Sequence, residues 1–466
     1  MGSESAMMSA LWQQVTLARV GFYRWREVSL LHRLLGPLRS WRQGSWLLSQ
    51  DWIGLALGLL VFVLAPFVST TLIGVLLLAC AAFWVLLTVS DEAGSGFTPI
   101  HAVVLVYGAV MAIATALSPV KAAALQGLIK LSLNICLFFL MARSLRRPQA
   151  RNVAVLVLLL VSIPVSVYGL RQYFFGAVAL ATWTDQTSTL ADATRVYSFL
   201  GNPNLLAGYL IPMVAFSGAA VFAWSRWVPK LLAVLLLLVN GLCLVLTLSR
   251  GGWIGLLAAS FSGLILLVHY LSVRFSPFWR RWALPVLLGG GILLVGLAIA
   301  TVEPLRLRAL SIFAGREDSS NNFRMNVWAG VIAMIKARPI LGIGPGNDAF
   351  NSIYPLFQRP RFTALSAYSV FLEVTVEAGI IGLLTFLWLM SVVWSEGWRQ
   401  LQRLRDLQSP QGYWLMAAIV SQVGMLTHGL VDTVWYRPQI STLWWLIMAI
   451  VASYYSFERG QRRLAE

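Results

Sequence analysis

The chain has 466 residues, of which 58% are hydrophobic and only 11% are charged. Soluble globular proteins carry about 25% charged residues, so this composition argues against a water-soluble fold. The net charge of +17 does not indicate nucleic-acid binding, because the basic residues lie in short loops between apolar stretches rather than on one exposed face. We therefore expect an integral membrane protein whose partners include membrane lipid and exclude nucleic acid.

Apolar stretches of about 17 to 25 residues, the length that crosses a bilayer as a helix, recur along the chain. They predict an all-α membrane protein, a polytopic bundle of about twelve transmembrane helices with one helical outer (periplasmic) loop. The predicted spans are residues 52–68, 71–89, 100–117, 122–142, 152–170, 204–224, 230–248, 252–272, 283–301, 367–393, 412–431 and 439–457.

The spans divide the chain into five parts. Lysine and arginine are in excess on the side shared by both termini, which predicts cytoplasmic termini in the plasma (inner) membrane. Aromatic residues among arginines near the start predict a segment that lies along the inner membrane surface. The parts are a cytoplasmic interfacial segment (1–51), transmembrane helices 1–9 (52–301), a periplasmic loop region (302–366), transmembrane helices 10–12 (367–457) and a cytoplasmic tail (458–466).

The outer loop is too long to be structureless in a compact protein. Polar residues 319–321 predict the start of a helix through residues 323–335, which ends before Pro339. A glycine-rich turn at 342–347 and a second short helix through 350–357 are predicted next. The turn follows a helix rather than a strand and lacks a Gly-Lys-Ser/Thr sequence, so nucleotide binding is not favoured.

Three arginines on the predicted outer face, Arg195, Arg250 and Arg324, are candidates for anion binding. A guanidinium offers a planar fork of donors that suits phosphate, carboxylate or bicarbonate oxygens. The alternative is that each one extends to water or binds lipid headgroups. Arg250 is the strongest candidate, because it lies between two apolar spans, where an unpaired charge would cost about 3 kcal/mol or more. Asn202 and Asn204 begin a span, where they either cap the helix or present donors to an anion.

Two pairs of ionisable residues have helical spacing. His428 and Asp432 are four residues apart in an apolar stretch, which predicts one helical face near its outer end, with either a structural or a functional role. Glu373 and Glu377 repeat this spacing near the start of a span, where a favourable interaction with the helix dipole is the preferred interpretation. Lys130 falls inside a predicted span and needs a partner, a cavity or an extended conformation.

No cofactor or metal is predicted. Cys80, Cys136 and Cys243 lie inside apolar stretches without the spacing of a zinc site or a disulfide framework. The histidines outside the His428 motif are also far apart in sequence, with no ligand spacing.

A set of short motifs, in this order along the chain, resembles the O-antigen ligase and polymerase (Wzy_C-like) superfamily. Within it, residues 316–324 and 363–369 look closest to the cyanobacterial IctB proteins, which are named as inorganic-carbon (bicarbonate) transporters. The superfamily motifs are Arg195 with Gly201-Asn202-Pro203-Asn204, Ser249-Arg250-Gly251-Gly252, Arg324…Trp328…Arg338-Pro339…Gly342-Ile343-Gly344-Pro345-Gly346, Glu377-Ala378-Gly379-Ile380-Ile381-Gly382 and His428…Asp432.

The resemblance implies two functions. Likeness to IctB implies transport or accumulation of bicarbonate as a small anion. Likeness to the ligases implies instead a glycosyltransferase that moves a glycan from a polyprenyl diphosphate to an acceptor at the outer membrane face without a metal. The implied anion- or substrate-binding residues are Arg195, Asn202, Asn204, Arg250, Arg324, Tyr368, His428 and Asp432, and the catalytic candidates of a ligase are Arg250, Arg324, Tyr368 and His428.

The residue proposed as the base in the ligases is not present at the corresponding position of this chain. The ligases place a histidine, proposed as the general base, where this chain has Tyr368. A tyrosine with an ordinary pKa near about 10 is a poor base at neutral pH. The residues therefore favour bicarbonate transport first, a ligase-type glycosyltransferase second and a non-catalytic membrane scaffold third.

Overall fold

The structure is a computed structural model that describes residues 2–18, 44–90, 97–177 and 195–455. The described residues form α-helices joined by turns and 3₁₀ helices, with no β-strand among them. The helices are α1 (Gly2–Val15), α2 (Trp46–Ser49), α3 (Asp51–Leu64), α4 (Thr70–Ser90), α5 (Pro99–Ala116), α6 (Lys121–Ser144), α7 (Pro148–Phe175), α8 (Pro203–Ala223), α9 (Trp227–Leu246), α10 (Arg250–Leu271), α11 (Pro277–Thr301), α12 (Glu303–Leu310), α13 (Ser319–Ala337), α14 (Asn347–Ile353), α15 (Val370–Asp406), α16 (Gln411–His428) and α17 (Pro438–Ser453). The 3₁₀ helices are Ser198–Leu200, Ser272–Arg274, Gly315–Glu317, Tyr354–Leu356 and Val434–Tyr436.

Nine of the described helices, α4 to α11 and α15, are long and apolar enough to cross a membrane. Helices α3 and α17 are apolar but shorter, and α16 has 18 residues. Each of these helices coincides with one predicted stretch, and the chain is a multi-pass, all-helical membrane protein. The number of about twelve spans and the outer position of the long loop stay predictions.

Helix α16 lies at the centre of the part of the bundle that carries the predicted site, packed against α8 and α10. Glycines make these crossings close: a side chain added at Gly255 of α10 would meet the Gly424 carbonyl of α16 at 2.7 Å, and one added at Gly424 would meet Ile211 of α8 at 2.6 Å. Small residues at helix crossings let backbones approach within a membrane. The end of α16 is thereby held against the starts of α8 and α10.

Polar contacts at one end of the bundle join helix ends that are far apart in sequence. Arg151 at the start of α7 donates to Gln411 at the start of α16, at 2.8 Å. The Tyr454 hydroxyl donates to the Gln411 carbonyl at 2.9 Å, and the Tyr270 hydroxyl donates to the Ser409 carbonyl at 2.6 Å. The starts of α8, α10 and α15 are therefore at the opposite end, together with the region after α11, as alternating spans require.

The predicted surface segments are described only in part. The Trp388 indole of α15 donates to the carbonyl of Val15, at the end of α1, at 2.7 Å. Residues 19–43 of the predicted interfacial segment and the predicted tail 458–466 lie outside the described residues.

The glycine-rich turn donates hydrogen bonds to backbone carbonyls at a break in α15. The helix is interrupted at Gly379, which has φ 63° and ψ −162°. The carbonyls of Val376 and Glu377 accept hydrogen bonds from the amides of Ile343 and Gly344, at 2.9 and 2.8 Å. A kink leaves backbone groups without helical partners, and membrane proteins must satisfy them internally. The turn therefore has a structural role in this break.

The loop after α11 is helical, as predicted, but the details differ. The side chain that caps α13 is Asp318, which accepts from the Asn321 amide at 2.8 Å, and not a residue of 319–321. Helix α12 was not predicted, because its sequence has no apolar periodicity. Helix α16 ends at His428, so the predicted helical face shared by His428 and Asp432 is wrong.

We expect Gly379→Ala to lower the melting temperature of the purified protein. Its dihedral angles lie in a region that is essentially restricted to glycine and costs other residues about 1 to 3 kcal/mol. A side chain there would also collide with the Ile340 carbonyl. The control is Gly290→Ala in α11, where no heavy atom lies within 4 Å of the added carbon. Equal melting temperatures for the two variants would contradict this account of the break.

Candidate functional site

Four arginines converge at the end of the bundle where α8, α10 and α15 begin. Arg195 is within electrostatic range of Arg250 and Arg324, and Arg308 is within range of all three. We call these four residues the arginine cluster. Like charges repel at this range, so other groups must hold the cluster together.

Arg250, the first residue of α10, is 6% exposed, and both terminal nitrogens of its guanidinium donate to protein groups. One terminal nitrogen donates to the Ser311 carbonyl at 2.9 Å, and the other donates to the Asp318 carboxylate at 2.8 Å. Asp318 also caps α13 through the Asn321 amide. Burial alone would raise the pKa of Asp318, but the hydrogen bonds from Arg250 and Asn321 outweigh burial and hold the pKa below its ordinary 3.8. Arg250 thus joins α10 to the loop after α11.

Arg195 and Arg308 hold the turn between α9 and α10. The Arg195 Nε donates to the Thr247 carbonyl at 3.1 Å, and the Arg308 Nε donates to the Leu248 carbonyl at 3.0 Å. Burial and neighbouring arginines lower the pKa of Arg195 to about 10 and that of Arg308 to about 9. Both side chains remain cationic at neutral pH, but at a free-energy cost that a bound anion would relieve.

Arg324 on α13 has donor capacity left. It donates to the Ser320 hydroxyl at 3.2 Å and lies 3.7 Å from Asp432. Its buried Nε has no partner among the described residues. Asp432 accepts a shorter bond, 2.6 Å, from the side-chain amide of Asn204. Arg324 therefore retains donor capacity beside Asp432.

Two helix starts also face this region. Asn202 caps α8 by accepting from the Asn204 amide at 2.8 Å, and Ser249 caps α10 by accepting from the Gly252 amide at 3.2 Å. Helix N-termini carry partial positive charge and favour anions. Their dipoles reinforce the field of the arginine cluster.

Tyr368 lies at the edge of the cluster with a left-handed backbone conformation, φ 50°. Its ring packs edge-on against Phe323 at 5.5 Å between centroids. Burial and the charge of Asp432 raise the pKa of Tyr368 to about 12. The phenol stays protonated at neutral pH, so it can donate a hydrogen bond but cannot act as a base.

His428 is fully buried at the end of α16. A side chain added at Gly251 would come within 2.7 Å of the imidazole ring, and one added at Gly208 within 3.6 Å. Neither ring nitrogen has a partner in the described part of the chain. Asp432 and Arg324 are within electrostatic range. His428 thus lies behind the arginine cluster, tightly covered by glycine backbone.

The structure brings all the predicted site residues to one end of the bundle. It adds Arg308 and Asp318, which the sequence analysis missed. Asp318 has a recognisable signal, since an aspartate before a polar first turn is a typical cap. Arg308 has none, because it is one of several basic residues in the loop. No group of three or more metal-ligating side chains lies in the residues that the structure describes.

We expect Asp318→Asn to reduce the acid sensitivity of the protein. The pKa of Asp318 is lowered in the folded state, so its carboxylate stabilises the fold at neutral pH and this contribution is lost as the pH falls. The melting temperature should therefore drop less in the variant than in the parent protein between pH of about 5 and about 3. Asp348→Asn, in an exposed pair with Lys130, is the control and should follow the parent. An equal drop in melting temperature for Asp318→Asn and the parent protein would contradict the prediction.

Comparison with known proteins supports one of the two implied functions. Residues 231–387 match the family profile of O-antigen ligase, Wzy_C. The match includes Arg250, Arg308, Arg324 and Tyr368. No curated protein matches the chain. The closeness to IctB proteins is not confirmed by any homologue, and bicarbonate transport gains no support. The chain is a multi-pass membrane protein in which residues 231–387 are similar to the O-antigen ligase family.

Proposed function

We propose that this protein is a membrane glycosyltransferase of the O-antigen ligase type, which transfers a glycan from a polyprenyl diphosphate to an acceptor. The arginine cluster binds the diphosphate of the donor. The proposal is carried by the charge of the cluster: among the residues that the structure describes, Arg250 pairs with Asp318 and Arg324 with Asp432, whereas Arg195 and Arg308 have no ion pair. It is also supported by the family match of residues 231–387.

The charge surplus favours a diphosphate over bicarbonate. Within the described part of the chain, the four guanidinium groups exceed the two paired carboxylates by two positive charges. The diphosphate that joins a glycan to a lipid carries two negative charges, whereas bicarbonate carries one. Bidentate arginine contacts suit several phosphate oxygens at once. A diphosphate would neutralise the cluster and satisfy the free donor of Arg324.

In the proposed reaction, a hydroxyl oxygen of the acceptor attacks the anomeric carbon of the donor glycan. The bond from that carbon to the diphosphate oxygen breaks, and its electron pair stays on the diphosphate. The arginine cluster stabilises the developing negative charge of this leaving group. The acceptor loses its proton, and the products are the glycosylated acceptor and the free polyprenyl diphosphate.

Asp432 is the proposed proton acceptor. It is a carboxylate beside Arg324, and its contacts with Arg324 and Asn204 both fall on Oδ2. The other oxygen remains for the acceptor hydroxyl. Tyr368 stays protonated, so its proposed role is to donate a hydrogen bond to the substrate. This assignment removes the need for the histidine that the ligases place at position 368.

The proposed location is the inner membrane, with cytoplasmic termini and the arginine cluster on the outer face. The excess of lysine and arginine on the side of the termini supports this orientation. The region of residues 302–366, with α12, α13 and α14, then covers the outer end of the bundle. A lipid-linked glycan would reach the cluster from that face.

We expect Arg324→Ala to weaken binding of undecaprenyl diphosphate about 10- to 100-fold, because charge-assisted hydrogen bonds contribute about 1.5 to 3 kcal/mol. Titration calorimetry on the purified protein in lipid nanodiscs measures the affinity. Arg306→Ala is the matched control, since Arg306 is half-exposed on α12 and forms a long ion pair with Glu303 at 3.9 Å. Equal affinities for the two variants would exclude the cluster as the diphosphate site.

Asp432→Asn separates binding from chemistry. It removes a negative charge, so binding of undecaprenyl diphosphate should be equal or tighter, while glycan transfer falls about 100-fold or more without a base. Tyr368→Phe should retain transfer within about tenfold, since it loses one hydrogen bond. Transfer is measured in membrane vesicles that hold the native lipid-linked glycan. Full activity of Asp432→Asn would overturn the assignment of the base.

Bicarbonate transport makes a different prediction. Proteoliposomes that contain only the purified protein would then take up labelled bicarbonate when a sodium or proton gradient is applied, and Arg250→Ala would abolish uptake. We expect no uptake above that of empty liposomes. Gradient-driven uptake would reverse the order of the two functions.

A further inference from the structure

A cavity lies beside the 3₁₀ helix Val434–Tyr436, which follows Asp432 of the arginine site in sequence. Its volume is about 560 Å³, and its walls come from α4, α5, α6, α15 and α17. Asp432 contacts the cluster, whereas Trp435, three residues later, lines this cavity. We call it the carboxyl cavity, after Glu373 and Glu377 in its wall. Its volume lies within the range of about 300–1,000 Å³ that is typical of small-ligand sites.

Both carboxyl groups are held in place by backbone amides. Glu373 accepts from the amide of Ala367 and Glu377 accepts from the amide of Gly346, each at 2.6 Å. The second oxygen of Glu377 has no partner among the residues described. Both residues lie in the first part of α15, as a dipole interaction requires, but each also has this specific backbone contact. The carboxyl groups are therefore positioned in advance of any ligand.

The cavity also contains polar atoms that lack a partner. Asn134 is 7% exposed, and its side-chain oxygen accepts no hydrogen bond from the described residues. The buried indole nitrogen of Trp435 likewise has none there. A buried polar group without a partner is unfavourable and usually marks a bound ligand or water. The Asn134 oxygen and the Trp435 indole nitrogen thus provide one acceptor and one donor for a ligand that can both donate and accept hydrogen bonds.

Aromatic rings form much of the remaining wall. The ring of Trp435 packs against Trp444 at 4.4 Å and edge-on against Phe386 at 5.6 Å between centroids. Tyr107 and Tyr436 also line the cavity. Aromatic faces pack against apolar surface, including the C–H faces of a sugar ring.

The polar and aromatic groups of the cavity wall discriminate among a polyprenyl chain, a diphosphate and a saccharide as ligands. A polyprenyl chain would leave Asn134, Glu377 and the Trp435 indole without partners. A diphosphate would meet two carboxyl groups, while the two cations of the wall are already engaged: Lys130 pairs with Asp348 at 3.0 Å, and Arg437 lies over the Tyr436 ring at 5.3 Å. A saccharide offers hydroxyl groups that both donate and accept, on rings with apolar faces. The chemistry of the wall therefore favours a neutral sugar.

We infer that the carboxyl cavity binds the acceptor saccharide while the arginine cluster binds the donor diphosphate. This inference rests on the proposed function and adds the second substrate. Tyr368 is within electrostatic range of Asp432 and of Tyr436, a cavity residue. A sugar in the cavity can therefore extend past the two tyrosines toward the carboxylate that takes its proton.

Saturation-transfer NMR tests the cavity without any diphosphate present. The probes are maltose, cellobiose and N,N′-diacetylchitobiose, and the full chain is held in lipid nanodiscs free of sugar detergents. At least one probe should bind saturably. Glu377→Gln, which keeps an acceptor for the Gly346 amide, and Trp435→Phe, which keeps a ring, should each weaken that binding about fivefold.

Two controls make the test specific. Arg324→Ala should leave saccharide binding unchanged, and Glu377→Gln should leave binding of undecaprenyl diphosphate unchanged. Melting temperatures show whether each variant is folded. Saccharide binding without diphosphate binding would reject the proposed function but retain the cavity as a sugar site. The inference is wrong if no saccharide binds saturably, if both cavity variants bind as the parent does, or if farnesol occupies the cavity instead.

Discussion

The ion pair between Arg250 and Asp318 connects the parts of this protein on which the proposed site depends. Arg250 begins a membrane-spanning helix, and Asp318 caps the first helix that follows the 3₁₀ turn of the long loop. Both side chains are largely buried, at 6% and 15% exposure. Removing one partner of a buried pair costs about 3 to 5 kcal/mol, because the other charge is left uncompensated. The pair therefore fixes the loop to the bundle and places Arg324 of the same loop opposite Asp432.

The arrangement around this pair accumulates positive charge. Arg195 and Arg308 bind the carbonyls of the turn before α10, and the starts of α8 and α10 add their dipoles. The depressed pKa values of Arg195 and Arg308 reflect burial and mutual repulsion. A site with this surplus is prepared for an anion before the anion arrives. The nearby carboxyl cavity has no such surplus, because Lys130 and Arg437 accompany Glu373 and Glu377 in its wall, and this suits a neutral second substrate.

Hydrophobic patterning predicted most of the fold, since the length and apolarity of a membrane helix are written directly in sequence. The convergence of Arg195, Arg250 and Arg324 was predictable because their loops fall on one side of the bundle. The contacts of Arg308 were not, since one loop arginine looks like another. The shared helical face of His428 and Asp432 was wrong because the chain leaves the helix at Gly429. Two residues that are four apart in sequence share a helical face only while the helix continues.

Ranking the two candidate functions, bicarbonate transport and glycan transfer, also required more than the sequence patterns. A tyrosine in place of the ligase histidine favoured bicarbonate transport, because the sequence placed no other base, His428 included, beside that position. The structure places another candidate base, the carboxylate of Asp432, beside Arg324. The glycine-rich turn, which resembles a ligand loop in sequence, instead supplies backbone amides to the break in α15. That role depends on a contact between distant segments, and no local pattern predicts it.

The most direct measurement is a cryo-EM map of the purified protein in lipid nanodiscs with undecaprenyl diphosphate. The proposed function predicts density for both phosphates within hydrogen-bond distance of Arg324 and Arg195, with the prenyl chain leaving toward the lipid. Ordered phosphates at a site away from the arginine cluster, or an arginine cluster unchanged and empty at saturating ligand, would contradict it.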